Sequence, residues 1–352
     1  MSSKVLLVTD QHFGAREGST IILDHQRLFY ENVFFPTIES LNIDTVICLG
    51  DIFDKRKYTN NFVIDQCKKF FFDELQKRNI TFYIIVGNHD CAFKNTLFPN
   101  TPDTLLAEYD NVYVISSPEV VSVLGYNVAM IPWICQDNID AAYDVINNSK
   151  ADICMGHLEV SGFQMYRGVD SHGGLEPSMF DRYDCVFSGH YHHRSTKGNI
   201  TYLGTPYELT WQDYGDPKGF HIFDFETRKL EFVENPNTLF IKIEYNDLDQ
   251  NPIDLGPLNL QNVYIKLIVV NKTDYYRFDQ FLNKLYTKGA YEVKIIEDIG
   301  DFSSGEIDDT IKLEDTHSVL NHYIESIETD VDKSKLKSYI QSLFTEATNL
   351  ES

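Results

Sequence analysis

Thr45-Val-Ile-Cys-Leu-Gly-Asp-Ile-Phe-Asp54 is a short apolar run that ends on a glycine and two acids. A continuous apolar run of this length suits a strand buried on both faces. Polar groups at its carboxyl end stand where ligand sites of layered α/β domains form. The same arrangement recurs outward along the chain. Val5-Leu-Leu-Val8 leads into Asp10-Gln-His12, and Phe82-Tyr-Ile-Ile-Val86 leads into Gly87-Asn88-His89-Asp90. Asp152-Ile-Cys-Met155 leads into Gly156-His157, and Cys185-Val-Phe187 into Gly189-His190-Tyr-His192. Asn127-Val-Ala-Met-Ile131 is one further run of the kind. Helical patterns over about 24–39 and 61–77 separate the early runs, and strand–helix alternation predicts an α/β layered domain. Later strands at 200–203, 220–225 and 230–233 lie closer together, as in a second, antiparallel-rich sheet. The expected fold is therefore α/β, a two-sheet sandwich flanked by helices, with a single doubly wound sheet as second choice.

Near Glu234-Asn-Pro-Asn the pattern breaks, and a polar stretch runs to about Gln261. A small β-α-β unit is expected next, with strand Val263 to Val270, helix Asp274 to Lys288 and strand Tyr291 to Glu297. Asp274 or Thr273 can cap the helix and Gly289 can stop it, while Phe278, Leu282 and Leu285 share one face. Residues 299–315 read as an acidic linker. Two amphipathic helical patterns close the chain, one on Leu320, Tyr323, Ile324 and Ile327, the other on Leu336, Tyr339, Ile340, Leu343 and Phe344. The expected organisation is 1–235 as the main domain, 236–298 as a small domain with its lead-in, 299–315 as linker and 316–352 as a helical segment.

Composition narrows the class. A hydrophobic content of 43% over 352 residues is ample for a packed core, and no run approaches the roughly 18–20 apolar residues of a membrane span. The amino terminus has no signal-peptide cleavage pattern, so a soluble, cytoplasmic protein is expected. The six cysteines are scattered, several inside apolar runs, and read as small buried hydrophobes rather than disulfides or thiolate ligands. The formal net charge of −23 is awkward for an enzyme acting on nucleic acid, whose phosphates are normally met by Lys and Arg. Part of the excess acid lies from Glu297 onward, which makes the charge uneven.

Asp, Asn and His at five strand ends can converge in one cleft. In extended geometry Asp10 and His12 point to one side, as do His190 and His192. Mixed carboxylate, amide and imidazole donors suit borderline divalent ions and need no thiolate. A carboxylate can bridge two ions, and Asp51, after a glycine that permits close approach, is the natural candidate. Taken singly, a histidine after glycine or a Gly-Asp pair is more often a turn. Five such motifs in one order predict a two-metal phosphoesterase.

The motif order resembles the calcineurin-like metallophosphoesterase superfamily over roughly residues 4–225. Gly50-Asp-Ile-Phe-Asp54 and Gly87-Asn-His-Asp90 are similar to the SbcD and Mre-eleven nuclease family, whereas Lys55 and Asp90 depart from the phosphoprotein-phosphatase branch. Ile131-Pro-Trp133, Ser171-His-Gly-Gly-Leu-Glu-Pro177, Leu203-Gly-Thr-Pro206 and Asp216-Pro-Lys-Gly-Phe220 resemble the T-even bacteriophage branch, the recombination endonuclease subunits. The resemblance implies Asp10, His12, Asp51 and His192 on one metal, and Asp51, Asn88, His157 and His190 on the other. It implies His89 as a catalytic residue that is not a ligand, with Asp54 orienting it. It further implies two Mn²⁺ ions, DNA as substrate, cleavage as exonuclease and endonuclease, and a homodimer. The implied partner is an SbcC-type (Rad-fifty-type), SMC-like ATPase docked on 316–352, with 236–298 as a capping domain and the host-cell cytoplasm as location.

Other residues carry weaker signals. His193 is expected to face away from the metals, and His172 reads as a substrate contact or an exposed loop residue. His25, His221, His317 and His322 have no metal spacing. Lys55-Arg56-Lys57 and Lys94 read either as phosphate contacts or as solvated charge. A metallophosphoesterase for small phosphodiesters, nucleotides or phosphoproteins is the alternative function, and a scaffolding protein with a degenerate site is a third.

Overall fold

The structure, a computed structural model, describes residues 3–166, 169–171, 173–249 and 253–297. The expected linker 299–315, the helical segment 316–352, His172, His317 and His322 lie outside the described residues.

Two six-stranded sheets form the frame. In the first, β1 (Lys4–Val8), β2 (Thr45–Cys48), β3 (Thr81–Ile85) and β4 (Val112–Ile115) run parallel. The second contains β5 (Glu119–Val123), β6 (Tyr126–Ile131) and β7 (Ile153–Gly156). A separate pair, β8 (Gln164–Tyr166) and β9 (Val169–Asp170), precedes the rest of the second sheet: β10 (Cys185–Ser188), β11 (Ser195–Lys197) and β12 (Ile200–Tyr202). The central strands β6, β7, β10 and β12 are parallel. The chain then returns to the first sheet as β13 (Gly219–Asp224), antiparallel to β1, and β14 (Leu230–Glu234). The strands expected at 220–225 and 230–233 are thus present but belong to the first sheet. Apolar alternation reports burial, and it does not say which of two sheets a strand joins.

Strand alternation sorts the core into layers. Val5, Leu7, Ile47, Leu49 and Ile85 meet Val128, Met130, Ile153, Met155 and Phe187 between the sheets. The intervening Leu6, Val8, Val46, Cys48, Phe82 and Ile84 face helices on the outer side of the first sheet. Ala129, Cys154 and Val186 face Ala142 and Ile146 of helix Ile139–Asn148 on the far side. Both faces of each central strand are therefore apolar, which is why these strands read as unbroken runs.

The helices expected at 24–39 and 61–77 span Thr20–Leu41 and Asn61–Lys77. Each contains a widened π turn, at Tyr30–Phe34 and Lys68–Phe72. Aromatic rings meet there, with Tyr30 4.6 Å from Phe71 between centroids. Such widened turns occur often at functional sites, and Tyr30 receives a hydrogen bond from Gln11 Nε2 (2.5 Å), between two of the site residues.

The carboxyl-terminal described part is a parallel sheet of β15 (Phe240–Asn246), β16 (Tyr264–Asn271) and β17 (Glu292–Glu297), with helix Tyr275–Thr287 between the last two. Asp274 caps the helix through the Arg277 amide (3.0 Å), and Gly289 follows it with φ +98°. The strand β15 falls within the stretch read as a polar lead-in. Lys242 and Glu244 interrupt its apolar residues because they lie on less buried positions of a small sheet.

Candidate metal centre

Every motif residue falls just beyond the carboxyl end of a parallel strand. Asp10 and His12 follow β1, Asp51 follows β2, and Asn88 and His89 follow β3 in the first sheet; His157 follows β7, and His190 and His192 follow β10 in the second. They converge in a cleft of about 250 Å³ whose walls include His12, Asp51, Asp54, Asn88, His89, His190 and His192. Asp10 and His157 are fully buried behind them.

The backbone is not extended here. Asp10, His12, Asp51 and His190 all have positive φ, at 49°, 45°, 52° and 84°. Each costs about 1–3 kcal/mol, and such residues persist where surroundings over-determine them. Neighbouring loops supply that constraint: amides of Asp10, His12 and Phe13 donate to the carbonyls of Gly50, Asp51 and Ile52 (3.0, 3.0 and 2.8 Å). The Gln11 carbonyl accepts from Gln26 Nε2 (3.1 Å) and Tyr207 Oη (2.6 Å). The expected same-side placement of Asp10 with His12, and of His190 with His192, is reached through these left-handed residues and not through strand alternation.

Two groups of donor atoms stand side by side. His157 Nδ1 lies 2.7 Å from the Leu49 carbonyl, which only accepts, so Nδ1 carries the hydrogen and Nε2 turns inward. That Nε2 is 2.9 Å from Asn88 Oδ1 and 3.3 Å from Asp51 Oδ2, while His190 Nδ1 is 3.0 Å from Asn88 Oδ1. In the neutral His157 ring Nε2 is a lone pair facing the oxygens of Asn88 and Asp51, an arrangement that calls for a cation. The second group is Asp10, His12 and His192, whose donor atoms lie within 4.8 Å of one another. His12 Nε2 is buried without a hydrogen-bond partner, 3.9 Å from both Asp10 Oδ1 and Asp51 Oδ2. Asp51 is thus near both groups. The donor set fits two divalent ions.

Charges among the donors follow the same division. Burial lowers the His12 pKa, but Asp54, Asp51 and Asp10 outweigh it and hold the ring at about 9. His157 is likewise held at about 9 against burial, chiefly by Asp51. His190 and His192 fall to about 3, through burial first and then the neighbouring His157 and His12 respectively. Burial works to raise the Asp51 carboxyl, yet the histidines hold it well below the usual carboxylate range. Burial raises Asp10. The neighbouring acids thus favour protons on His12 and His157, which divalent ions would displace on binding.

Close approach explains two glycines. A Cβ at Gly50, where φ is +100°, would stand 2.4 Å from His157 Nδ1, and one at Gly87 2.2 Å from Asp51 Oδ1.

His89 sits at the cleft with its amide on Asp51 Oδ1 (2.7 Å) and its Nδ1 2.7 Å from the Asp54 carbonyl. The Asp54 carboxylate is 3.4 Å from His12 Nδ1. Asp54 therefore reaches His89 through its backbone, and its side chain serves His12, because the turn after β2 brings the carboxylate back toward β1. His193 points away, its Nδ1 3.0 Å from Asp216. Lys55 is paired with Glu17 (2.7 Å). Five of the six cysteines are buried, and all are free.

Asp90 is the site residue to which the sequence pattern assigns no role. Its buried carboxylate accepts from the amides of Asp51 (2.9 Å), Gly87 (2.8 Å), Ile52 (3.1 Å) and Phe53 (3.3 Å), tying the β2 and β3 loops together. The signal for it is the acid closing Gly-Asn-His-Asp90.

Residues 3–194, which include all of these donors, match the family model described as calcineurin-like phosphoesterase. The chain is 34% identical over 308 residues to Exonuclease subunit 1 of Enterobacteria phage T4, covering 87% of this chain and 88% of that one. It is 24% identical over 285 residues to the SbcD polypeptide of the SbcCD nuclease of Escherichia coli strain K12, covering 66% and 68% of the two. It is 23% identical over 285 residues to the DNA double-strand break repair protein Mre11 of Nanoarchaeum equitans, covering 70% and 73%. Paired donor groups, the sandwich that carries them and the family match agree: the chain belongs to the calcineurin-like phosphoesterase family and is a metal-dependent phosphodiesterase.

Proposed function

We propose that the chain is the Mn²⁺-dependent nuclease subunit of a phage recombination and repair complex, cleaving DNA as an exonuclease and endonuclease in the host-cell cytoplasm. The observation that carries the reading is the convergence of two donor groups, one on each side of Asp51, beneath a single cleft. Asp10, His12, Asp51 and His192 would hold one ion, and Asp51, Asn88, His157 and His190 the other. Two divalent ions bound there supply a strong nucleophile at neutral pH and neutralise charge on the phosphoryl group. The protein's own part is to fix these donors and to handle the leaving group. His89 Nδ1 donates to the Asp54 carbonyl, so Nε2 is the ring nitrogen left to exchange a proton with the departing sugar oxygen, as donor only when the ring is an imidazolium.

The names of the relatives support DNA as substrate and support a polypeptide that works with another, here an SbcC-type ATPase. In this reading residues 1–235 form the nuclease domain, 236–298 cap it, 299–315 link, 316–352 dock the ATPase, and the chain pairs as a homodimer. Among the described residues, no helix is long and apolar enough to cross a membrane.

The test is the purified chain with Mn²⁺ on linear and circular DNA, with and without the ATPase. Cleavage lost in Asp51→Ala is expected. Hydrolysis confined to small phosphoesters would refute the nuclease reading.

A further inference from the structure

The cleft contains a cation that the metal chemistry leaves unused. Arg16 lines it beside His12, Asp51 and His89, on the first loop after β1. Its guanidinium lies over the rings of Tyr264 (4.8 Å to the centroid) and Phe240 (5.3 Å), on strands β16 and β15. A guanidinium held by its face keeps its N–H edge for another partner.

Among the described residues that partner is not a carboxylate. Among the described residues Arg16 makes no ion pair, although the chain carries a net charge of −23. Its acidic neighbour Glu17 is turned to Lys55 (2.7 Å). An exposed arginine left unpaired beside a cluster of aspartates is positioned for an external anion.

The local backbone points the same way. Gly14, Arg16, Glu17 and Gly18 have φ of 92°, 51°, 58° and 76°, and the Gly18 amide closes the turn on the Gly14 carbonyl (2.8 Å). Two consecutive L side chains in the left-handed region are disfavoured, and conformations of this kind gather at ligand sites. The turn directly follows His12, so a group held on it has a fixed place relative to the donors.

We propose that Arg16 binds a phosphate of the substrate strand adjacent to the one being cleaved, so that the stretch 14–18 and the sheet β15–β17 together form a positioning site for a polynucleotide. The proposal rests on the nuclease reading and adds to it a residue that distinguishes a strand from an isolated phosphodiester. A substrate without a second phosphate has nothing for Arg16 to hold.

The experiment compares the full chain with Arg16→Ala and Arg16→Lys, all with Mn²⁺, on a short single-stranded DNA oligonucleotide and on bis(p-nitrophenyl) phosphate. For Arg16→Ala, kcat/KM on the oligonucleotide should fall about 10- to 100-fold, mainly through KM, as expected for one charged hydrogen-bond partner. The loss on the small diester should be about tenfold smaller or less. The salt dependence of log KM should lose a slope of about 0.7, one phosphate contact on a single strand. Arg16→Lys should restore that slope but only part of the affinity, since an ammonium lacks the fork and the stacking face. Equal losses on both substrates, or no loss on the oligonucleotide, would overturn the assignment. Wild-type enzyme that hydrolyses only the small diester would sink the nuclease reading itself, and this proposal with it, before any variant is compared.

Discussion

Replacing Glu208 by glutamine should stabilise the protein above neutral pH. Glu208 is only 4% exposed, and a single oxygen, Oε2, accepts from the amides of Leu239 (2.6 Å) and Phe240 (2.9 Å) where the chain enters β15. Burial, with Asp213 adding to it, pushes the carboxyl up to about 7 from the usual 4.5, even though both amides favour the charged form. The folded state therefore binds the proton more tightly than the unfolded chain. The contribution of protonated Glu208 is complete below pH 4.5 and is lost as pH rises through 7. Across that interval of 2.5 pKa units the loss reaches about 3 kcal/mol at 1.36 kcal/mol per unit. Glutamine keeps an oxygen where both amides need it and carries no charge to bury. That shift already contains the two amide bonds to the charged form, so the net gain lies at or below it, about 1–3 kcal/mol. At about 2–4 °C per kcal/mol, the Tm of Glu208→Gln at pH 8 should exceed wild type by about 2–12 °C. Calorimetric melting of both proteins from pH 4.5 to 8 reads this directly. A variant less stable than wild type at pH 8, or a difference that does not change with pH, would refute the reasoning.

Three further outcomes follow from the site. Asp90→Ala strips four amides of their acceptor, and should lower stability by at least about 3 kcal/mol and weaken Mn²⁺ binding, read by melting and titration calorimetry. His89→Gln should lower turnover about 10²- to 10⁴-fold while two ions per chain remain by elemental analysis; loss of metal would show that His89 is a ligand. Gly50→Ala drives a methyl against His157 Nδ1 and breaks its bond to Leu49, so metal content should fall while far-ultraviolet dichroism stays native.

Much of the site was legible because its donors had to follow short buried strands. Asp51, Asn88 and His157 were readable for that reason: each stands within three residues of a strand end, behind a glycine that keeps the approach open. What the sequence hid depends on non-local contacts. The conformation of Asp10 and His12 is imposed by Gln26, Tyr207 and the loop after β2, all distant in the chain. The aim of the Asp54 carboxylate at His12 is a property of that loop's path. The return of β13 to the edge of β1 pairs Lys4 with Asp224, a long-range contact that local apolar alternation does not encode. Arg16 carried no recognisable motif, since its platform lies more than two hundred residues away on Phe240 and Tyr264.

The inter-sheet layer has a mechanical consequence. Asp10, His12, Asp51 and Asn88 ride on one sheet, and His157, His190 and His192 ride on the other. Anything bound between them acts as a rivet through a seam, and the spacing of the two plates sets the spacing of the donors. Ile47, Met155 and Phe187 are shims in that seam. A methylene removed from one of them should loosen that seam and reach the donors at a distance, at a cost in stability the fold can bear.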